Sequence, residues 1–124
     1  MGTVNNFFFD TYALFEIVHE NKDYSYYLNV GVITTKLNLM ELHYRLLFLY
    51  GKKIAETAFS RFLPFVIDIS DEIIKESNFF KLFNKNKNLS YIDCLGYTIS
   101  KAMNIKFLTG DKEFNGLDNV EFVK

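Results

Sequence analysis

Four acidic residues, Asp10, Glu41, Asp93 and Asp111, are placed along this chain so that they could share one site, with Glu113 and Asp118 as candidates for a fifth. Asp10 directly follows the apolar run Phe7-Phe8-Phe9, and Asp111 follows a second apolar run, Lys106 to Thr109, by two residues. Glu41 and Asp93 fall near the starts of two segments with helical periodicity. If those segments link parallel strands, all four acids reach the carboxyl edge of one sheet, outside which open α/β folds bind ligands. Two carboxylates about 4 Å apart repel by about 4 kcal/mol at an effective dielectric near 20. A cluster of four therefore needs protons or a cation to neutralise it. Oxygen donors without His or Cys select Mg²⁺ or Mn²⁺ over zinc. An ion so held can grip a phosphate oxygen and acidify water, which is the chemistry of phosphate-ester hydrolysis.

The elements that must position these acids are legible in the hydrophobic pattern. Phe7-Phe8-Phe9 reads as a strand buried on both faces, as parallel sheets require. Leu14, Ile17 and Val18 follow at helical spacing, and the tyrosine-rich stretch from Asp23 to Asn29 reads as a short helix. Val30 to Thr34 is β-branched and predicts a second strand. From Asn38 a helix carries Leu39, Leu42, Leu46 and Leu49 on one face and stops at Gly51. Lys53 to Phe62 predicts a further helix ended by Pro64, and Phe65-Val66-Ile67 a third strand. Ser70 caps a helix reaching about Phe83, with Asp71 and Glu72 complementing its dipole. The polar run Asn84 to Asn88 is a surface loop, Ser90 opens the next helix, and Lys106–Thr109 and Val120–Val123 are the remaining strands. Strands joined by helical crossovers lie parallel with right-handed connections. The expectation is one α/β domain over residues 1–124, a three-layer α/β/α sandwich around a parallel sheet of four or five strands.

Composition bounds what this fold can serve. The 124 residues are 49% hydrophobic and 23% charged with one Pro, which excludes disordered and low-complexity classes. A chain of this length buries roughly two-thirds of its unfolded surface, enough for a core without staples. Cys94 is the sole cysteine, so no intramolecular disulfide forms and a zinc site is disfavoured. No run approaches the roughly 20 apolar residues of a membrane span, and Met1 to Phe9 lacks the basic leader and cleavage site of a signal peptide. A cytoplasmic protein is expected. The formal net charge of −1 gives no global footprint for nucleic acid, although a local basic rim or a bound cation can substitute.

Each acid also has a plain structural explanation. Asp93 three residues after Ser90 fits a capping box, and Glu41 four before Arg45 fits a helix ion pair. Asp10 fits an N-cap, and Asp111 after Gly110 a turn residue. The metal-site reading rests on their joint convergence on one sheet edge.

The stretches Phe8-Phe9-Asp10-Thr11, Asn38-Leu39-Met40-Glu41-Leu42, Leu89-Ser90-Tyr91-Ile92-Asp93 and Phe107-Leu108-Thr109-Gly110-Asp111-Lys112-Glu113-Phe114 together resemble the PIN-domain family, over nearly the whole chain. The resemblance implies a Mg²⁺- or Mn²⁺-dependent endoribonuclease of the VapC-like kind, the toxin of a toxin–antitoxin pair. It carries the family's acidic quartet onto Asp10, Glu41, Asp93 and Asp111, with Glu41 either binding metal or orienting water. Glu113 stands where the family often has a further Asp. Thr11 and Thr109 are candidates to hydrogen-bond the ligand carboxylates and fix their rotamers. The resemblance also implies an RNA substrate, a homodimer and a small antitoxin whose tail enters the acidic crevice with a basic side chain.

The remaining chemistry-bearing residues read less specifically. Lys85, Lys87 and Lys112 are candidates to grip RNA phosphates along the rim, or are simply solvated. Tyr24, Tyr26 and Tyr27 suit base stacking, core packing or a dimer surface. His19 and His43 lie too far apart for a metal motif, and Cys94 reads as a buried hydrophobe. Two other function classes compete with the nuclease. One is a non-catalytic RNA- or protein-binding module retaining the acidic pocket. The other is an aspartyl phosphatase or receiver domain, which the sequence Asp10-Thr11-Tyr12 disfavours because it lacks an Asp-x-Asp.

Overall fold

The computed structural model describes residues 5–124; the first four residues of the stretch read for a leader lie outside them. The chain alternates strands with helical crossovers. Strand β1 (Asn6–Phe9) leads into α1 (Thr11–Val18), a 3₁₀ segment over Lys22–Asn29 and β2 (Gly31–Ile33). Helices α2 (Lys36–Tyr50), α3 (Lys52–Phe62), α4 (Asp71–Phe83) and α5 (Tyr91–Ala102) follow. Strands β3 (Lys106–Thr109) and β4 (Val120–Phe122) close the sheet, with a 3₁₀ turn at Lys112–Phe114 between them.

The sheet has four strands in the order β2-β1-β3-β4, and every neighbouring pair is parallel. Strand order therefore reverses direction between β1 and β3, which makes the carboxyl end of that pair the switch point. The register sets Phe9 beside Leu108, so the next residues on each strand, Asp10 and Thr109, emerge side by side. The expected third strand at Phe65-Val66-Ile67 does not extend the sheet. Pro64 sits in a 3₁₀ turn over Leu63–Phe65, and Val66 makes only a single parallel bridge to Thr34. Its partner strand ends there because Thr35 already caps α2, so no further ladder can form. That cap also starts α2 at Lys36, earlier than the apolar pattern from Asn38 implied.

The period-two alternation of β1 divides the core. Phe7 and Phe9 pack with Leu14, Ile17, Leu39, Leu42 and Leu46 on one face of the sheet. Phe8 packs with Phe107, Tyr97, Ile99 and Phe114 on the other. These two apolar layers make the three-layer α/β/α arrangement expected of a parallel sheet buried on both sides. Gly51, at φ +93°, ends α2 and begins α3, a backbone conformation that glycine adopts without strain. Among the described residues no helix is long and apolar enough to cross a membrane.

Gly96 is where α5 lies closest to the sheet. A Cβ there would stand 2.6 Å from Phe8 Cε1 and 3.0 Å from Phe107 Cε1. Those two rings are fully buried and stacked on each other, with no room to retreat. Gly96→Ala is expected to destabilise the fold by about 1–2 kcal/mol, overpacking outweighing the gain in helix propensity. Urea unfolding of the two proteins measures the difference, and an unchanged midpoint would contradict this packing.

Candidate active site

Asp10 is the inner wall of a cleft of about 450 Å³ at the carboxyl edge of β1 and β3. It is 3% exposed. Its Oδ1 accepts the N–H of Ala13 at 2.9 Å, capping α1, and its Oδ2 accepts the Thr109 hydroxyl at 2.6 Å. Asp10 thus caps α1 and lines the cleft with the same side chain. Thr109 is fully buried and also accepts the Asp111 N–H at 3.0 Å, so one hydroxyl ties the two acidic loops together.

Glu41 approaches from α2. Its Oε1 accepts the Thr11 hydroxyl at 2.6 Å, and Thr11 Oγ1 accepts from Asn38 Nδ2 at 3.2 Å. Asn38 is itself buried, and its Oδ1 accepts the Thr35 hydroxyl at 2.7 Å. The result is a directed relay of side chains, Thr35 to Asn38 to Thr11 to Glu41, that fixes the carboxylate. Sequence reasoning selected Thr11 but missed Asn38 and Thr35. The available signal was the T-x-x-N spacing of a helix cap followed three residues later by Glu41 on the same helical face. Glu41 makes no ion pair with Arg45, whose guanidinium instead lies 4.0 Å over the Phe15 ring at the cleft wall.

Asp93 sits in the first turn of α5, and its capping box is complete. Its Oδ2 accepts Ser90 N–H at 2.9 Å while Ser90 Oγ accepts Asp93 N–H at 3.1 Å. Asp111 caps the following 3₁₀ turn through the Glu113 N–H at 3.0 Å. Asp10, Glu41, Asp93 and Asp111 all line the one cleft, with Tyr12, Tyr44, Arg45 and Phe48 supplying its aromatic and basic rim.

Glu113 and Asp118 do not reach it. Glu113 Oε1 accepts Asn88 N–H at 3.2 Å across the loop, and Asp118 is engaged by Lys101 and Tyr97. Lys112 lies in the turn beside Asp111 and is not part of the wall. His19 stacks on Phe15 and contacts Tyr50, His43 pairs with Glu56 at 2.7 Å, and Tyr24 and Tyr27 pack into the core. Cys94 is buried, and burial pushes its thiol up to about 11, which leaves it unreactive.

Burial dominates the electrostatics of the cleft. It pushes the Asp10 carboxyl up to about 7, against the pull of the Thr109 and Ala13 hydrogen bonds, with Asp93 and Asp111 adding to the rise. Burial likewise raises Glu41, with the Asp93 charge adding to it, while the Thr11 hydrogen bond opposes. Asp93 is raised by burial and by Asp111, against its Ser90 hydrogen bonds and the nearby Lys81 ammonium. Asp10, Glu41 and Asp93 thus each feel at least one other acid of the cleft. Among the described residues no three such side chains are gathered into a finished coordination shell. The fit to a metal is one of donor chemistry, since four carboxylates face one cleft, the donor set of a hard divalent cation.

No family model matches the chain, and no curated protein matches it in sequence. Solved structures do. The fold is similar to the VapC20 toxin of Mycobacterium tuberculosis, described as cleaving the sarcin-ricin loop, with a TM-score of 0.78 at 15% identity over 95% of this chain and 99% of that one. It is also similar to a toxin–antitoxin complex from Klebsiella pneumoniae, with a TM-score of 0.70 at 19% identity over 92% and 94% of the two chains. A third likeness is to VapBC2 of Rickettsia felis bound to promoter DNA, with a TM-score of 0.72 at 18% identity over 95% and 97%. The chain has the VapC toxin fold.

The sign of the Asp10 shift gives a direct test without metal. A carboxyl raised on folding binds its proton more tightly in the native state, so stability falls as pH rises from about 4 to about 7 and then levels. Asp10→Asn removes that dependence. In EDTA the variant is expected to gain about 2–3 kcal/mol on the native protein between pH 5 and pH 8. Urea unfolding at the two pH values checks this, and parallel behaviour of both proteins would contradict a destabilised Asp10 charge.

Proposed function

We propose that this chain, which has the fold of the VapC toxins, is a cytoplasmic Mg²⁺- or Mn²⁺-dependent endoribonuclease and the toxin of a toxin–antitoxin pair. The observation that carries the reading is the buried Asp10 carboxylate, held by Thr109 within a cleft that three further acids share. Crowding these acids around a buried carboxylate costs stability beyond what their caps return, and a bound cation offsets that cost.

Asp10, Asp93 and Asp111 are assigned as the residues that hold the ion, through carboxylates whose backbone and hydroxyl contacts fix their orientation. A divalent cation supplies neutralisation of the phosphoryl charge and acidification of water at neutral pH. Glu41 is assigned to orient the attacking water and accept its proton at Oε2, since Thr11 occupies Oε1. Its raised affinity for a proton, caused first by burial, makes it a stronger base than an exposed carboxylate. Water adds to phosphorus, the P–O bond to the leaving ribose oxygen breaks, and Arg45 on the cleft wall is placed to offset charge on the phosphodiester.

The partners follow from the same reading. The Klebsiella pneumoniae and Rickettsia felis neighbours are toxin–antitoxin assemblies, which supports a small antitoxin partner here. Exposed apolar side chains on α2, including Phe48 and Tyr44, and on α4, including Phe79 and Phe83, support protein association and a homodimer. Light scattering is expected to give the mass of a dimer, and a monomer would remove that element.

Cleavage of a mixed RNA pool with Mn²⁺ or Mg²⁺ tests the enzyme reading. The native chain is expected to cut, EDTA to stop it, and Asp10→Asn to leave only background. Thr109→Val, which keeps the shape but not the hydroxyl, is expected to lose about 10- to 100-fold in activity or metal affinity. Mn²⁺ should raise the melting temperature of the native protein and not of Asp10→Asn. Cutting that persists in Asp10→Asn would contradict the assignment.

A further inference from the structure

A second concavity, of about 420 Å³, lies beside the acidic cleft, where α4 meets the loop before α5. Lys81, Lys85 and Lys87 line it, together with Asn78 and Tyr91, and no carboxylate lines it. In a chain of net charge −1 this is a local concentration of one sign. Tyr91 is 68% exposed, so it is available to a ligand in the pocket. Lys81 holds the pocket in shape. Its ammonium donates to the Leu89 carbonyl at 2.6 Å and stands 4.9 Å over the Tyr91 ring, so the loop, the helix and the ring are joined at one point. The same ammonium also acts on the Asp93 carboxylate, so the pocket and the cleft are electrostatic neighbours. One acid reaches the loop from outside it: Glu113 accepts the Asn88 N–H at 3.2 Å, next to Lys87, without lining the pocket.

Tyr91 and Asp93 belong to the same first turn of α5 and, two residues apart, project to different sides of it. A strand whose phosphate sits in the cleft therefore crosses only the tip of one helix, a width of about 10 Å, to reach the pocket. Flat aromatic surface beside mobile cations is the chemistry that holds single-stranded nucleic acid without reading its sequence. We propose that this pocket is a substrate subsite for the nucleotides flanking the cut, in which Lys85 and Lys87 bind phosphates and Tyr91 stacks a base, with Lys81 as the positioning residue. The proposal rests on the ribonuclease reading for the identity of the strand, but its binding chemistry does not need cleavage.

The test is binding of short fluorescent oligouridylate and oligoadenylate by the full chain carrying Asp10→Asn, in Mn²⁺, across a salt series. Tyr91→Ala is expected to weaken binding by about 5- to 100-fold while Tyr91→Phe keeps it. Lys85→Glu with Lys87→Glu should weaken binding and lower the slope of log K against log salt by about 1.4, one increment of about 0.7 for each phosphate lost. Lys52→Glu with Lys53→Glu, an equal charge change on exposed residues of α3, should bind as the parent does. No binding by the parent, equal loss from both lysine pairs, or indifference to Tyr91 would overturn the subsite. Cleavage by the Asp10-intact chain separates the two readings. If pocket-dependent binding occurs without any cutting, the ribonuclease reading fails and the subsite stands. If cutting occurs and binding ignores the pocket, the subsite fails alone.

Discussion

The structure is organised around a carboxylate buried at the end of a central strand. Asp10 cannot leave that position. Its backbone N–H reaches the Leu108 carbonyl, one of its oxygens caps α1 and the other takes the Thr109 hydroxyl. The parallel register of β1 and β3 sets Thr109 beside it, and the switch in strand order opens a crevice above it. Burying such a charge is unfavourable unless something neutralises it, and the surrounding acids aggravate the cost. A proton on Asp10 relieves that cost, and the hydrogen bonds of the fold keep the acids from swinging apart.

That rigidity has a common device. Asp10, Asp93 and Asp111 each cap a helix or turn with the same side chain that faces the cleft. A cap uses one carboxylate oxygen to satisfy an end-of-helix N–H and aligns the group with the positive end of the helix dipole. A capping role therefore does not exclude these residues from a site role. Glu41, mid-helix and without a cap to make, is fixed instead by the relay from Thr35 through Asn38 and Thr11.

Much of this is legible in the sequence. Phe7-Phe8-Phe9 and Phe107-Leu108 announced strands buried on both faces, and the acids that follow them could only emerge at one edge. Ser90 and Ser70 announced their helices correctly. The strand expected at Phe65-Val66-Ile67 failed because a hydrophobic run does not reveal how long its partner is, and β2 stops at the Thr35 cap. Glu113 lies off the cleft wall because a 3₁₀ turn directs it toward Asn88, which spacing cannot show. Asn38 was marked locally by its T-x-x-N spacing from the Thr35 cap, but its link to Thr11 was not, because the residue that tertiary packing sets opposite it lies in another element. Lys81 was missed for that same reason.

The central claim is that a cation replaces a proton on Asp10. Calorimetric titration of Mn²⁺ at pH 7, repeated in buffers of different ionisation enthalpy, counts that proton. With the Asp10 carboxyl at about 7, binding should release at least about half a proton per ion, more at pH 6, and this release should vanish in Asp10→Asn. Binding that releases no proton, or no binding at all, would contradict the account.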